Sequence, residues 1–230
     1  MTWHDVAIIL HLVLFVYWLG ADVGVFYASR FVTNPELSTQ ARGVALKIVD
    51  VIDMAPRVCL VLILPSGVTL MATSGYGRDV FAGWPVAAIW VAGLAWLALV
   101  LVDHFRSDRL GRLVHQVDLV VRVGLVVGLL GVVVYTVAVD RPFGVTTHPA
   151  WLAGKVAAYA LCIACGVAIR LRLTGFGPAW AQLLRTGSDP TVETALRRSL
   201  SGTLPFVYAI WGLVFLAAVL GVVQPGSTAP

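Results

Sequence analysis

Apolar residues fill runs of about 20 positions along the whole chain, and short polar stretches between them carry most of the charge. A helix rises about 1.5 Å per residue, so such a run is long enough to cross a hydrocarbon core about 30 Å thick. Six helices are predicted, at Val6–Ala28, Val51–Met71, Val80–Val102, Leu119–Val139, Trp151–Ala168 and Leu204–Val223. The runs are continuous and lack the alternation of apolar and polar positions that a membrane β-barrel requires. The fold class is therefore all-α, a polytopic integral membrane bundle of six transmembrane helices forming one domain over residues 1–230. The segment before the first run, Met1–Asp5, has no Lys or Arg and no small-residue cleavage site follows, so this helix is expected to stay in the mature protein.

Composition removes the soluble alternatives. Of the 230 residues 59% are hydrophobic and 12% charged, with a mean hydropathy of +0.89, far from the balance of soluble domains. Charge then orients the bundle, because Lys and Arg are retained on the cytoplasmic side during insertion. Arg30, Arg42 and Lys47 follow the first run, Arg106, Arg109 and Arg112 the third, and Arg170, Arg172, Arg185, Arg197 and Arg198 the fifth, eleven of the 16 cations. The loops with Arg78 and Arg141 and both chain ends are nearly bare. Both termini are thus expected outside, in a protein of the bacterial inner (plasma) membrane. The net charge of +4 reads as an insertion signal and a contact with acidic lipid, and implies no nucleic acid. Cys59, Cys162 and Cys165 all lie in apolar runs, and Cys162-x-x-Cys165 has no second pair to make a zinc site.

Ionisable residues inside spans are costly, which makes each a candidate for function or for internal pairing. His11, Trp18 and Asp22 fall within about 20° of one stripe of the first helix, a stripe that must face the bundle interior, and Ser29 continues it. In the second helix Asp50, Asp53 and Arg57 share a face, and Asp53 with Arg57 has the i, i+4 spacing of an ion pair. Pro56 and Pro65-Ser66-Gly67 are expected to kink that helix. The fourth begins with His115, Asp118 and Arg122, with the same spacing between Asp118 and Arg122, and His104 closes the third at the same level. These residues predict a polar cluster in the inner half, either an ion-pair network or a proton or ligand route. Toward the outer side lie His4, His148, Lys155 and Tyr159. Trp84, Trp90, Trp96, Trp151 and Trp211 are expected mostly as interfacial anchors, and Gly124, Gly128 and Gly131 as a close helix contact. No P-loop, G-x-G-x-x-G, H-E-x-x-H or nucleophile elbow is present.

The segment from His11 to Gly20, a His-x6-Trp-x-Gly pattern, resembles the first helix of the HemJ-type protoporphyrinogen oxidases and of CopD-like membrane proteins. The third run, from Trp84 to Asp103-His104-Phe105-Arg106, is similar to the HemJ-type helix that ends in histidine and a short basic loop. The resemblance covers the first four spans, and the Gly20–Gly24 segment around Asp22 departs from it. It implies haem b with His11 as an axial ligand, and the wider grouping makes copper an alternative. Oxidase activity is not carried over.

Helix geometry restricts the haem reading. His11 lies about 8 Å below the outer end of its helix and His104 and His115 lie some 20 Å further in, so they cannot ligate one iron. A second ligand for His11 would come from His148, Lys155 or Met71, or the iron would be five-coordinate, and His104 with His115 would hold a second, inner haem. The expectation is an integral membrane haem b redox or electron-transfer protein, working with a quinone or a redox partner protein and open to homo-oligomer formation. Asp22, Arg57 and Arg122, with Asp50, Asp53 and Asp118, would hold propionates or carry protons. The alternative is a small membrane carrier, or a copper- or metal-handling protein, that uses the same Asp/Arg cluster.

Overall fold

The computed structural model describes every residue except 75, 76, 82, 107, 141, 145–149 and 226–230. Among the described residues there is no strand; the helices are α1 (Trp3–Val32), α2 (Thr39–Ile52), α3 (Met54–Thr73), α4 (Arg78–Phe81), α5 (Trp84–Phe105), α6 (Arg109–Ala138), α7 (Ala150–Arg172), α8 (Phe176–Thr186), α9 (Pro190–Ser201) and α10 (Leu204–Val223). Five helical runs are long and apolar enough to cross a membrane: α1, α5, α6, the joined run Ala150–Thr186 and the joined run Pro190–Val223. The helix α3, with Pro56, Arg57, Pro65 and Ser66, is not among them.

Two helices are longer than their apolar runs. α1 and α6 have 30 residues each, about 45 Å, which exceeds the hydrocarbon thickness, so their polar ends project beyond it. α6 starts ten residues before the predicted Leu119 because no Gly-Pro break intervenes and Asp108 caps it, its Oδ1 accepting from the Gly111 N–H at 2.9 Å. Proline shapes other boundaries. Pro56 lacks the N–H that would bond the Ile52 carbonyl, which is where α2 gives way to α3, and Pro85, Pro190 and Pro205 occupy the first turns of α5, α9 and α10.

Three amphipathic helices fall in stretches read from the sequence as loops. α2 is begun by Ser38, whose Oγ accepts from the Ala41 N–H at 3.2 Å. α9 is begun by Asp189, which accepts from the Thr191 and Val192 N–H groups. Those donors, Val192 first, hold the Asp189 carboxyl below its usual range. α8 ends at Gly187, whose φ of 82° admits the turn into α9 without a Cβ clash.

The chain divides into two compact units. One comprises Met1–Ala28 and Leu46–Val121, the other Ser29–Ala45 and Arg122–Pro230. In the first, α3 lies antiparallel to α1: His4 meets Thr73, His11 meets Ser66, and Gly24 faces Ile52, so each advance along α1 matches an equal retreat along α3 and the end of α2. α5 covers another side of α3, with Trp90 on Thr69 and Gly93 against Pro65. In the second unit α7 and α10 pair antiparallel, with Gly154 beside Leu220 at one end and Arg172 beside Gly202 at the other. α8 and α9 form a hairpin closed by Ala179, Leu183, Val192 and Leu196, with Phe176 and Trp180 packed on it.

Two packing expectations are corrected. Gly124, Gly128 and Gly131 are exposed, and a Cβ at each would meet nothing within 4 Å among the described residues, so this stripe makes no close helix contact there. The close approach is at Gly93, whose Cβ position is 3.2 Å from Pro65 Cγ. Of the tryptophans, Trp84 is 80% exposed as an anchor would be, but Trp96 and Trp151 are buried and Trp90 and Trp96 donate hydrogen bonds inward.

Candidate functional site

The first unit holds a lane of polar groups in an apolar surrounding. Ser66, Thr69 and Thr73 lie at i, i+3 and i+7 on α3, one face of a helix. Ser66 Oγ donates to the Ile63 carbonyl at 3.0 Å, Thr69 Oγ1 to the Pro65 carbonyl at 2.8 Å, and Thr73 Oγ1 to the Thr69 carbonyl at 2.9 Å. Each hydroxyl has one proton, now committed to the backbone, so toward a neighbour it can only accept. Its neighbours must then be donors. Trp90 Nε1 donates to Thr69 Oγ1 at 2.9 Å. His11 Nδ1 lies 2.8 Å from Ser66 Oγ and His4 Nδ1 2.8 Å from Thr73 Oγ1, so each imidazole carries its proton on Nδ1.

In this tautomer Nε2 is the ring nitrogen without a proton in both histidines. A metal-ligating histidine usually donates its other N–H to a fixed acceptor, which sets tautomer and ring orientation, and Ser66 supplies that acceptor for His11. Ser66 is fully buried, and Gly67 leaves room beside the ring, since a Cβ there would stand 3.4 Å from His11 Cε1. On the same stripe of α1, Trp18 is buried and Asp22 half-buried. Were His11 an axial ligand, Ser66 would be the group that orients it. Met71 does not join it: five residues beyond Ser66 on α3, it lies about 7.5 Å nearer the His4 level. His148 lies outside the described residues, and Lys155 is in the second unit, on α7.

Toward the other end of this unit the charged residues resolve into pairs. Arg57 Nε donates to Asp53 Oδ2 at 2.7 Å and the guanidinium adds a second bond to the same oxygen; both side chains are about a third exposed, 34% and 31%. His104 Nδ1 lies 3.9 Å from Asp50 Oδ1. His115 Nδ1 lies 3.1 Å from Asp103 Oδ1, with Asp103 the more buried partner. Asp118, fully buried, accepts from Trp96 Nε1 at 2.8 Å. Arg122 is buried in the second unit, its Nη1 3.9 Å from the Cβ position of Gly166 on α7. Arg57 sits nine residues from Ser66, about 13.5 Å along α3, so the inner pairs and His11 are separate stations. Among the described residues no three His, Cys, Asp or Glu side chains gather as a metal site.

Sequence reasoning missed Ser66 and Thr73 as histidine partners, Thr69 with Trp90, and Asp103 as the partner of His115. The signal was present as periodicity: the seven-residue step from His4 to His11 equals that from Ser66 to Thr73, in reverse order on an antiparallel neighbour. No family model, no curated protein and no solved structure matches the chain.

Proposed function

We propose that this is an integral membrane haem b protein that transfers electrons, with His11 as an axial ligand. The observation that supports the reading is the contact of His11 Nδ1 with the buried Ser66 hydroxyl, 2.8 Å away, because a fixed partner of this kind is what sets the ring orientation of a ligating histidine. Haem b would supply one-electron chemistry. The chain's own part is to orient the ring through Ser66 and to keep charged pairs, His104 with Asp50 and His115 with Asp103, on a separate level. Electron exchange with a quinone or a partner protein in the bacterial inner membrane completes the reading.

The same proposal takes α3 as a sixth span and both termini as outside. Its antiparallel pairing with α1 from Thr73 to Ile52 supports this, since a helix that accompanies a spanning helix for about 30 Å shares its depth. Burial of Pro56, Cys59, Leu60, Val61, Pro65 and Ser66 relieves α3 of the apolarity demanded of lipid-facing helices.

Expression with haem supplied, purification in mild detergent, and oxidised and dithionite-reduced absorption spectra test the haem reading. A Soret band is expected in the wild type and in His104→Ala, and none in His11→Ala. Folded protein without a band, or a band indifferent to His11→Ala, overturns it. The second reading, a carrier, rests on the lane of Thr73, Thr69 and Ser66 with their ring partners, and would then be favoured.

A further inference from the structure

The stretch from Arg170 to Arg198 holds five arginines and only two acids, Asp189 and Glu193. Both acids are engaged within the fold. Asp189 caps α9 through two backbone N–H groups. Glu193 receives Arg42 Nη1 at 2.7 Å and Nη2 at 3.1 Å, and Ser188 Oγ at 2.7 Å. Arg172, Arg197 and Arg198 are exposed, and their side chains make no hydrogen bond or ion pair among the described residues. The stretch therefore keeps a net positive charge, five arginines against two acids.

Arg172 ends α7, Arg198 is in the last turn of α9, and Arg197 directly precedes it, just before Gly202 hands the chain to α10. At Gly202 a Cβ would meet Arg172 Cδ at 3.6 Å, so the Arg172 stem runs over the end of α9, where the Gly202 N–H bonds the Arg198 carbonyl. Ser199 closes the same corner, its Oγ 3.3 Å from the Cβ position of Gly175. The apolar stretches of α7 and α10 both end at this corner, and a bilayer spanned by those two helices would have its headgroups there. Guanidinium groups bind phosphate oxygens bidentately, and juxtamembrane cations attract anionic lipid.

We propose that Arg172, Arg197 and Arg198 form a site for the phosphate of an anionic phospholipid at the base of the α8–α9 hairpin. It requires no cofactor at His11. The test uses the detergent-purified full chain, with phosphatidylglycerol or phosphatidylcholine added and bound lipid counted by native mass spectrometry. Neutralising two arginines in Arg172→Gln/Arg198→Gln is expected to weaken phosphatidylglycerol binding about 30-fold, at about 1 kcal/mol for each cation. Arg112→Gln/Arg185→Gln, with the same charge change elsewhere, is expected to keep wild-type affinity. Should the first double variant fail to fold, Arg197→Gln alone, at an exposed position, is expected to lose about fivefold. The proposal is overturned if wild type binds both lipids equally, if the two double variants lose affinity alike, or if both arginine variants at the base keep it. Displacement of the lipid by millimolar inorganic phosphate also overturns it, by making a free anion the ligand.

Discussion

At the scale of the residue, the proposed role of His11 depends on where single protons sit. Ser66 has no solvent contact, and its hydroxyl both donates to Ile63 and accepts from His11, so Ser66→Ala leaves a half-buried imidazole N–H without this acceptor. The cost is expected at about 1–3 kcal/mol, read by denaturant unfolding in detergent, with His11 free to change tautomer in the ring's nitrogen NMR spectrum. Retention of both stability and tautomer would remove Ser66 as the positioning group. Glycines give a comparison of opposite sign. Gly93→Ala forces a methyl within 3.2 Å of the rigid Pro65 ring and is expected to cost about 1–3 kcal/mol, whereas Gly128→Ala enters open space and is expected to be neutral or to gain about 0.5–1 kcal/mol. The same melting temperature for the two would contradict the packing described. The stripe of His11, Trp18 and Asp22 was legible in the sequence because burial of polar groups follows helical period. Their partners were not, because Pro65-Ser66-Gly67 carries a stronger signal for a kink than for a hydrogen-bond acceptor.

Among the elements, the short amphipathic helices are held by one arginine. Arg42 is 1% exposed; its Nε donates to the Val32 carbonyl at the end of α1, its two terminal nitrogens bind Glu193 on α9, and its guanidinium carbon lies 5.9 Å from the Trp180 ring centre on α8. Removing one partner of such a buried pair strands the other, so Arg42→Ala is expected to cost about 3–5 kcal/mol. Arg42→Lys should not restore it, since an ammonium cannot make the paired bonds to the carboxylate. Trypsin cleavage after the exposed Arg185 reads the opening of the hairpin, and both variants should be cut much faster than wild type. Equal cleavage would mean that the apolar contacts of Leu183 and Leu196 alone hold α8 to α9 and α2 does not matter. None of this was visible in the sequence. The pair joins residues 151 positions apart, and runs of 11 to 14 residues with mixed polarity look like loops beside apolar stretches of about 20.

For the whole molecule, the number of crossings decides which side each terminus occupies, and α3 is the helix on which that number turns. Five runs are apolar enough to cross by composition, and five crossings would put the termini on opposite sides. With α3 as a loop, the cations between spans divide into six on one side (Arg30, Arg42, Lys47, Arg57, Arg78 and Arg141) and eight on the other, which is no orientation signal at all. With α3 crossing, eleven fall on one side and only Arg78 and Arg141 on the other. The pairing of α3 with α1 points the same way as the charge, because His4 with Thr73 and His11 with Ser66 keep the two helices in register through the depth of the layer. The apolar run at Val51–Met71 was legible as a helix, but Pro56, Arg57, Pro65 and Ser66 within it leave its crossing to be argued from the loops on either side. Reporter fusions before Trp3 and after Gln224, one type active only outside and one fluorescent only inside, should place both ends outside. Neutralising Arg106, Arg109 and Arg112 should leave that arrangement in place, since eight inner cations remain against two. Termini on opposite sides would make α3 a non-crossing helix and would leave the six-against-eight division of cations without an orienting role.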